Sequence, residues 1–229
     1  MVAAMRRSVI ALLAMAACSK SEGDQGAGKA STSEEPAAGG GKTVLGVWPE
    51  RWACSEVAPL DQVSSLLGGE AQLLDSPFQP PRGVPKPCSY SVTRAAATDA
   101  GAAIVDAWTF DVDCRDDYEK RAELLFAQYT RTSAELVEGY QAQVGSGKPP
   151  TDDAGVPIKA PMASHEAMVG RKALDHHGQG LLFLDDDAPC YVRVVGPDAE
   201  RRLALAKLVG ANLKEANAPM KPHGDPVMK

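Results

Sequence analysis

Residues 104–114 read Ile-Val-Asp-Ala-Trp-Thr-Phe-Asp-Val-Asp-Cys. From Trp108 onward the apolar and polar positions alternate. Trp108, Phe110, Val112 and Cys114 fall on one side, and Thr109, Asp111 and Asp113 on the other. Side chains of an extended strand point to opposite faces in turn, so this is a strand with one buried and one wet face. Residues 88–93, Cys-Ser-Tyr-Ser-Val-Thr, alternate in the same way, with Cys88, Tyr90 and Val92 inward. Half-wet strands belong to antiparallel sheets, because parallel strands are covered on both faces.

Helical patterns flank these strands. Before them, Pro59 suits a first turn, Val63, Leu66 and Leu67 mark one face, and Gly68-Gly69 ends the helix. Residues 71–75 predict a short strand, and residues 76–87, with five prolines, a loop. After them, residues 116–144 place Tyr118, Ala122, Leu125, Phe126, Tyr129, Leu136, Val137 and Tyr140 at helical spacing. The second half repeats the theme. Strands are predicted over 167–174, 180–184 and 190–195, then a helix from Pro197-Asp198 to Leu213 with Leu203, Leu205, Ala206, Leu208 and Val209 on its buried side. The expected fold is α+β, in the order α-β-β-β-α-β-β-β-α, with one antiparallel sheet packed on one face by helices.

The globular part thus occupies 47–216, interrupted by a loop over 145–161 (GSGKPPTDDAGVPIKAP) that is expected to be mobile. Residues 217–229 hold three prolines and read as a disordered tail. Residues 18–46 are rich in Gly, Ser, Ala and Glu and cannot bury enough surface to offset their ordering entropy. Such a coil spans roughly 30 Å. In composition the chain is 44% apolar and 24% charged, normal for a globular protein. Its net charge of −6 and lack of a basic stripe argue against nucleic acid as a partner.

The first seventeen residues carry the address. Arg6 and Arg7 precede the apolar run of residues 9–17, VIALLAMAA. Nine residues are too few for a membrane span, and charge, short apolar run and small residues together describe an export signal. Met15-Ala16-Ala17-Cys18 resembles the lipobox of bacterial lipoproteins. That resemblance implies a diacylglyceryl thioether on Cys18, cleavage before it, and a location in the cell envelope, on the periplasmic or cell-surface side of a membrane. Ordinary cleavage after Ala16 would instead release a soluble protein, but an odd cysteine count outside the cytosol favours lipid on Cys18.

Four cysteines then remain, and outside the cytosol they oxidise. They allow three pairings. Placement favours Cys54–Cys88, joining the first helix to the strand it covers, and Cys114–Cys190, joining two strands. A Cys₄ zinc site is disfavoured because no two cysteines lie closer than 26 residues. Cys54 ahead of a helix ending Leu66-Leu67-Gly68, then Cys88-Ser89-Tyr90, resembles a family of small cysteine-paired bacterial lipoproteins of unknown function. Val169-Gly170-Arg171-Lys172-Ala173 and the helix with Leu203-Ala204-Leu205-Ala206 resemble its C-terminal half, so the likeness covers most of residues 52–213. It implies an envelope protein and no established activity.

No catalytic or cofactor motif stands out. His165-Glu166 could supply a base and a carboxylate, but they follow a proline-rich loop. Asp175-His176-His177 resembles a fragment of a metal-dependent phosphoesterase motif, a chemistry that needs further Asp clusters. Asp185-Asp186-Asp187 offers carboxylates without the ligand register of a calcium loop and suits a hairpin turn. Asp111, Asp113, Asp116 and Asp117 suit a solvated edge and a helix cap. Trp48 and Trp52 suit a seal at the start of the domain. The sequence therefore points to a non-enzymatic, membrane-anchored envelope lipoprotein with a binding or structural role, its partner an envelope protein or a small amphiphile. The alternatives are an extracytoplasmic hydrolase using His165, His176 or His177, and a divalent-metal binder using the acidic turn. Feeding labelled palmitate to expressing cells should label the chain, and Cys18→Ser should abolish the label; equal labelling of both would remove the anchor.

Overall fold

The computed structural model describes residues 44–95, 103–147, 150–153 and 155–224. The signal at 1–17, Cys18 and most of the expected tether lie outside the described residues. Among those described, no helix is long and apolar enough to cross a membrane.

The described residues form nine strands and three α-helices. Strand β1 (Val44–Leu45) precedes helix α1 (Leu60–Leu67) and the meander β2 (Glu70–Leu74), β3 (Cys88–Arg94) and β4 (Ile104–Asp113). Helix α2 (Tyr118–Gly145) leads to β5 (His165–Glu166), β6 (Lys172–His176), β7 (Gly180–Leu184) and β8 (Tyr191–Val195). Helix α3 (Ala199–Asn212) and β9 (His223–Gly224) complete the fold. Seven strands form one antiparallel sheet in the order β2-β3-β4-β8-β7-β6-β5. The two meanders therefore meet only along β4 and β8, where Thr109 pairs with Val195 and Asp113 with Tyr191.

The alternation around Trp108 holds. Trp108, Phe110 and Val112 are buried together with Cys88, Tyr90, Val92, Val192 and Val194, under Val63 and Leu67 of α1 and Leu205, Ala206 and Val209 of α3. Helix α1 ends on Gly68 in the left-handed conformation (φ 70°) that glycine adopts without strain. Asp198 caps α3 by accepting the Arg201 N–H at 2.9 Å.

Helices on one face only is corrected. Strand β7 is buried at all five positions. Its Leu181 and Phe183 enter the α1/α3 core, and Leu182 and Leu184 join Ala122, Phe126 and Tyr129 of α2 in a second core on the opposite face. A continuous apolar run such as Gly-Leu-Leu-Phe-Leu is the mark of a strand covered on both sides. The strand expected at 167–174 is also displaced. Gly170, at φ 60° with the Leu184 carbonyl where a side chain would stand, bends the chain. Arg171 N–H then bonds to Leu184 O at 2.9 Å, and pairing starts at Lys172. Order also continues past both expected limits of the domain. Val44–Leu45 pairs with His223–Gly224, and Ala218 is fully buried. Trp52 Nε1 donates to Asn217 O at 2.9 Å, so the described part of the expected tail, 217–224, is held by hydrogen bonds that its composition does not advertise.

Both disulfides, Cys54–Cys88 and Cys114–Cys190, are formed. The second bridges the residues that follow β4 and precede β8 and clamps the end of the joining ladder. One buried ion pair ties α3 to β6. Arg202 Nε and Nη2 donate to the two Asp175 oxygens at 3.1 and 3.0 Å, and Nη1 donates to Gly196 O at 2.7 Å. All donors of that guanidinium edge are aimed at acceptors, the condition under which a buried charge is tolerated. Loop-closure entropy across 34 and 76 residues gives about 4 and about 4.5 kcal/mol for the two disulfides. Replacing Cys114 and Cys190 together with Ala should therefore lower the urea midpoint more than replacing Cys54 and Cys88; the reverse order would show that the clamp on the ladder is not the stronger staple.

Candidate functional site

The polar groups singled out in the sequence turn out to be spoken for separately. His165 and Glu166 lie exposed on the short edge strand β5. His176 is buried and accepts two backbone N–H groups of the following turn, whereas the next residue, His177, is exposed. Asp175 points to the other face of the sheet, toward Arg202. Among the described residues His165, His176 and His177 have no carboxylate or hydroxyl partner, the histidine–carboxylate contact being that of His223 with Glu215 at 3.4 Å, and no three metal-ligating side chains come together.

Of the acidic residues in those groups, Asp111, Asp113, Asp117, Asp185 and Asp187 are matched. Asp111 binds Arg193 of β8, its ladder partner. Asp113 accepts from Arg115 and, at 3.0 Å, from the Tyr191 hydroxyl. Burial alone would raise the Asp113 carboxyl, and the Arg115 hydrogen bonds outweigh it, leaving that group below its ordinary value. Asp117 pairs with Arg121 and Asp187 with Lys214. Asp185 is 2% exposed and accepts the Asp187 and Ala188 N–H groups at 3.0 and 2.8 Å, closing the β7–β8 turn. Trp52 packs against the main core, and Trp48 stays half exposed.

Surface concavity instead follows α2. Its first half is anchored through Ala122, Phe126, Tyr129 and Ser133, while from Ala134 onward no residue is buried. The second half overhangs the sheet. The chain returns beside it, with Tyr140 hydroxyl donating to Ile158 O at 3.4 Å and Ser164 N–H to Ser133 Oγ at 2.6 Å. Between helix and returning segment lies a groove of about 740 Å³. Leu136, Tyr140, Ile158 and Met162 give it an apolar lining, with Lys159 and His177 among the polar groups. Leu136, Val144, Val156, Ile158 and Met162 each leave 44–58% of their surface exposed, a concentration of apolar area seen nowhere else along α2. Lys159 and His177 take part in no ion pair among the described residues.

A larger groove, about 920 Å³, borders the first half of α2, but the aromatic part of its lining is already covered. Lys172 lies over the Phe126 ring, 4.5 Å from its centre, and its ammonium group binds Glu123 at 2.8 Å. A third groove, of about 750 Å³, beside Trp48 mixes Arg82, Arg115 and Lys221 with Glu50, Asp116 and Glu215 and favours neither charge nor apolar matter. Sequence reading placed Leu136 and Tyr140 in a buried helix face, assigned Ile158 to the loop over 145–161 and gave Met162 no element. The available signal was the apolar content of residues 156–162, unusual for a solvated connection.

Burial pushes the Asp185 carboxyl up from its ordinary value, against the pull of its two backbone donors. A raised carboxylate pKa means the folded state holds its proton more tightly, so this group costs stability increasingly as pH rises from the ordinary value to the folded one, and in full above that. Asp185→Asn keeps the oxygen acceptor without the charge and should match or exceed the parent in thermal midpoint at pH 7, losing that margin below about pH 4. Asp185→Ala strands two buried N–H donors and should cost about 1–3 kcal/mol. Equal loss in both variants would mean that the charge itself is required.

No family model, no curated protein and no solved structure matches the chain.

Proposed function

We propose that the chain is a lipid-anchored protein of the bacterial cell envelope whose domain binds a small amphiphile in the groove beside α2, without catalysing a reaction on it. The lipobox-like Met15-Ala16-Ala17-Cys18 and the two disulfides support the location, since structural disulfides persist outside the reducing cytosol. The single observation that carries the binding reading is the groove itself. Its volume of about 740 Å³ lies within the range of small-ligand sites, and its lining combines aliphatic and aromatic side chains with a few polar groups. An acyl chain laid along Leu136, Tyr140 and Met162 would leave water there, and Lys159 or His177 would meet a polar head.

A fluorescent fatty acid titrated into the protein should bind saturably with one site per chain. Leu136→Asp replaces an apolar contact worth about 1.5–3 kcal/mol when buried and should weaken that binding at least roughly tenfold, with the thermal midpoint little changed because Leu136 is half exposed. Binding that survives Leu136→Asp and Met162→Asp alike would place the ligand elsewhere.

A further inference from the structure

His176 sits in a position that couples this groove to acidity. It is 2% exposed and packs edge-on against Tyr129 of α2, with ring centroids 5.6 Å apart. Its Nδ1 accepts the Gly178 N–H at 3.0 Å and the Gln179 N–H at 3.2 Å. A ring nitrogen that accepts carries no proton, so the imidazole is neutral with its proton on Nε2. That Nε2 is buried with no hydrogen-bond partner. From the other side, the Tyr129 hydroxyl donates to Gln179 O at 3.0 Å. His176 and Tyr129 thus hold one turn between them, and the side chain next in line, His177, lines the apolar groove.

We propose that His176 is an acid-released latch: protonating its Nδ1 frees the 176–180 turn from α2 and with it the wall of the groove that His177 supplies. The meaning of the release for ligand rests on the amphiphile reading above; the latch itself does not. A proton on Nδ1 turns an acceptor into a donor facing two N–H donors. It also leaves a buried cation whose other nitrogen is unpartnered, and of the two N–H groups only that of Gln179 has a second acceptor in the closed turn, the His176 carbonyl at 3.2 Å. Once the turn opens, water solvates the imidazolium.

The charged surroundings do not rescue the closed, protonated form. On its own strand, Asp175 lies toward the opposite face of the sheet and is committed to Arg202 of α3. The neighbouring His177 and the guanidinium of Arg202 both disfavour a second positive charge. Tyr129 comes from α2, and Arg193 of β8, near Tyr129, is paired with Asp111 of β4. Burial is the largest influence and holds His176 below the ordinary histidine value, against the pull of its own backbone carbonyl and of Asp175. For a base held low, the stabilisation is complete above the ordinary value of 6.5 and is lost as pH falls from there toward the folded value.

Amide hydrogen exchange of the unliganded protein tests the latch directly. Between about pH 7.5 and about pH 5, Gly178 and Gln179 should lose protection roughly tenfold or more once intrinsic exchange rates are divided out, while amides of β4 keep theirs. His176→Asn places an oxygen acceptor near the Nδ1 position and does not titrate, so its protection should stay flat across the same range. Should that variant fail to fold, the imidazole resonances of the parent protein replace it, and their titration midpoint must coincide with the loss of protection. Protection that persists in the parent protein, or that is lost equally in His176→Asn, overturns the latch. In a parallel titration the fluorescent fatty acid should bind at least about tenfold more weakly at the lower pH to the parent but not to the variant. Equal binding at both values, with the turn shut, overturns the latch and leaves the amphiphile reading intact. Acid opening of the turn in a protein that binds no fatty acid at either value supports the latch and removes that reading.

Discussion

The β4–β8 ladder is the joint on which the architecture turns. The first meander on its own is a three-stranded sheet and the second a four-stranded one, and neither has a second connection to the other within the sheet. Along the joint, five residue pairs run from Thr109–Val195 to Asp113–Tyr191. On one face, Phe110, Val112, Val192 and Val194 form the middle of the main core. On the other, Asp111–Arg193 and Asp113–Tyr191 pair across the same rungs. The disulfide at Cys114–Cys190 closes its end. Apolar burial, ionic pairing and a covalent bond all act on one strand pair, so its register is specified several times over.

Coverage of the sheet is uneven, and the groove follows from that unevenness. Helices α1 and α3 share one face and span the joint. On the other face α2 reaches only the second meander, leaving Ser89, Ser91 and Thr109 of the first as a partly wet surface. A helix of 28 residues is about 42 Å long, far more than a five-residue strand can support. Its second half must leave the sheet, and the returning chain leans on it there. The apolar residues stranded between them are the price of that geometry.

Strands β3 and β4 were legible because their period of two is clean, and α3 because Asp198 and the spacing of Leu205, Ala206 and Val209 agree. The disulfide partners followed from where Cys54, Cys88, Cys114 and Cys190 fell relative to those elements. What escaped was tertiary. Periodicity marks which side of α2 is apolar but not where its support stops, so Leu136 and Tyr140 looked like Phe126 and Tyr129. The five apolar positions of β7 did signal a second covered face, yet a run that short reads equally well as a central strand of one core. The groove joins residues 136–143 to 158–162 and 177, segments that no local pattern connects. Likewise His176 beside His177 reads as a polar pair, and only the sheet puts one inside and the other out.

The short ribbon of β1 and β9 has a mechanical meaning. Tension applied to the polypeptide ahead of Val44 meets first the two-residue pairing with His223–Gly224, then the bonds of Gly46 and Val47 to Glu215 and Ala218 and that of Trp52 to Asn217. These yield in sequence, as a zipper does. Peeling then reaches Cys54, where the sulfur bridge hands the pull to Cys88 at the start of β3. Because β3 is flanked on both sides, the force is spread as shear over two ladders. The domain is thus fitted with a soft leash that gives way early and a hard stop behind it.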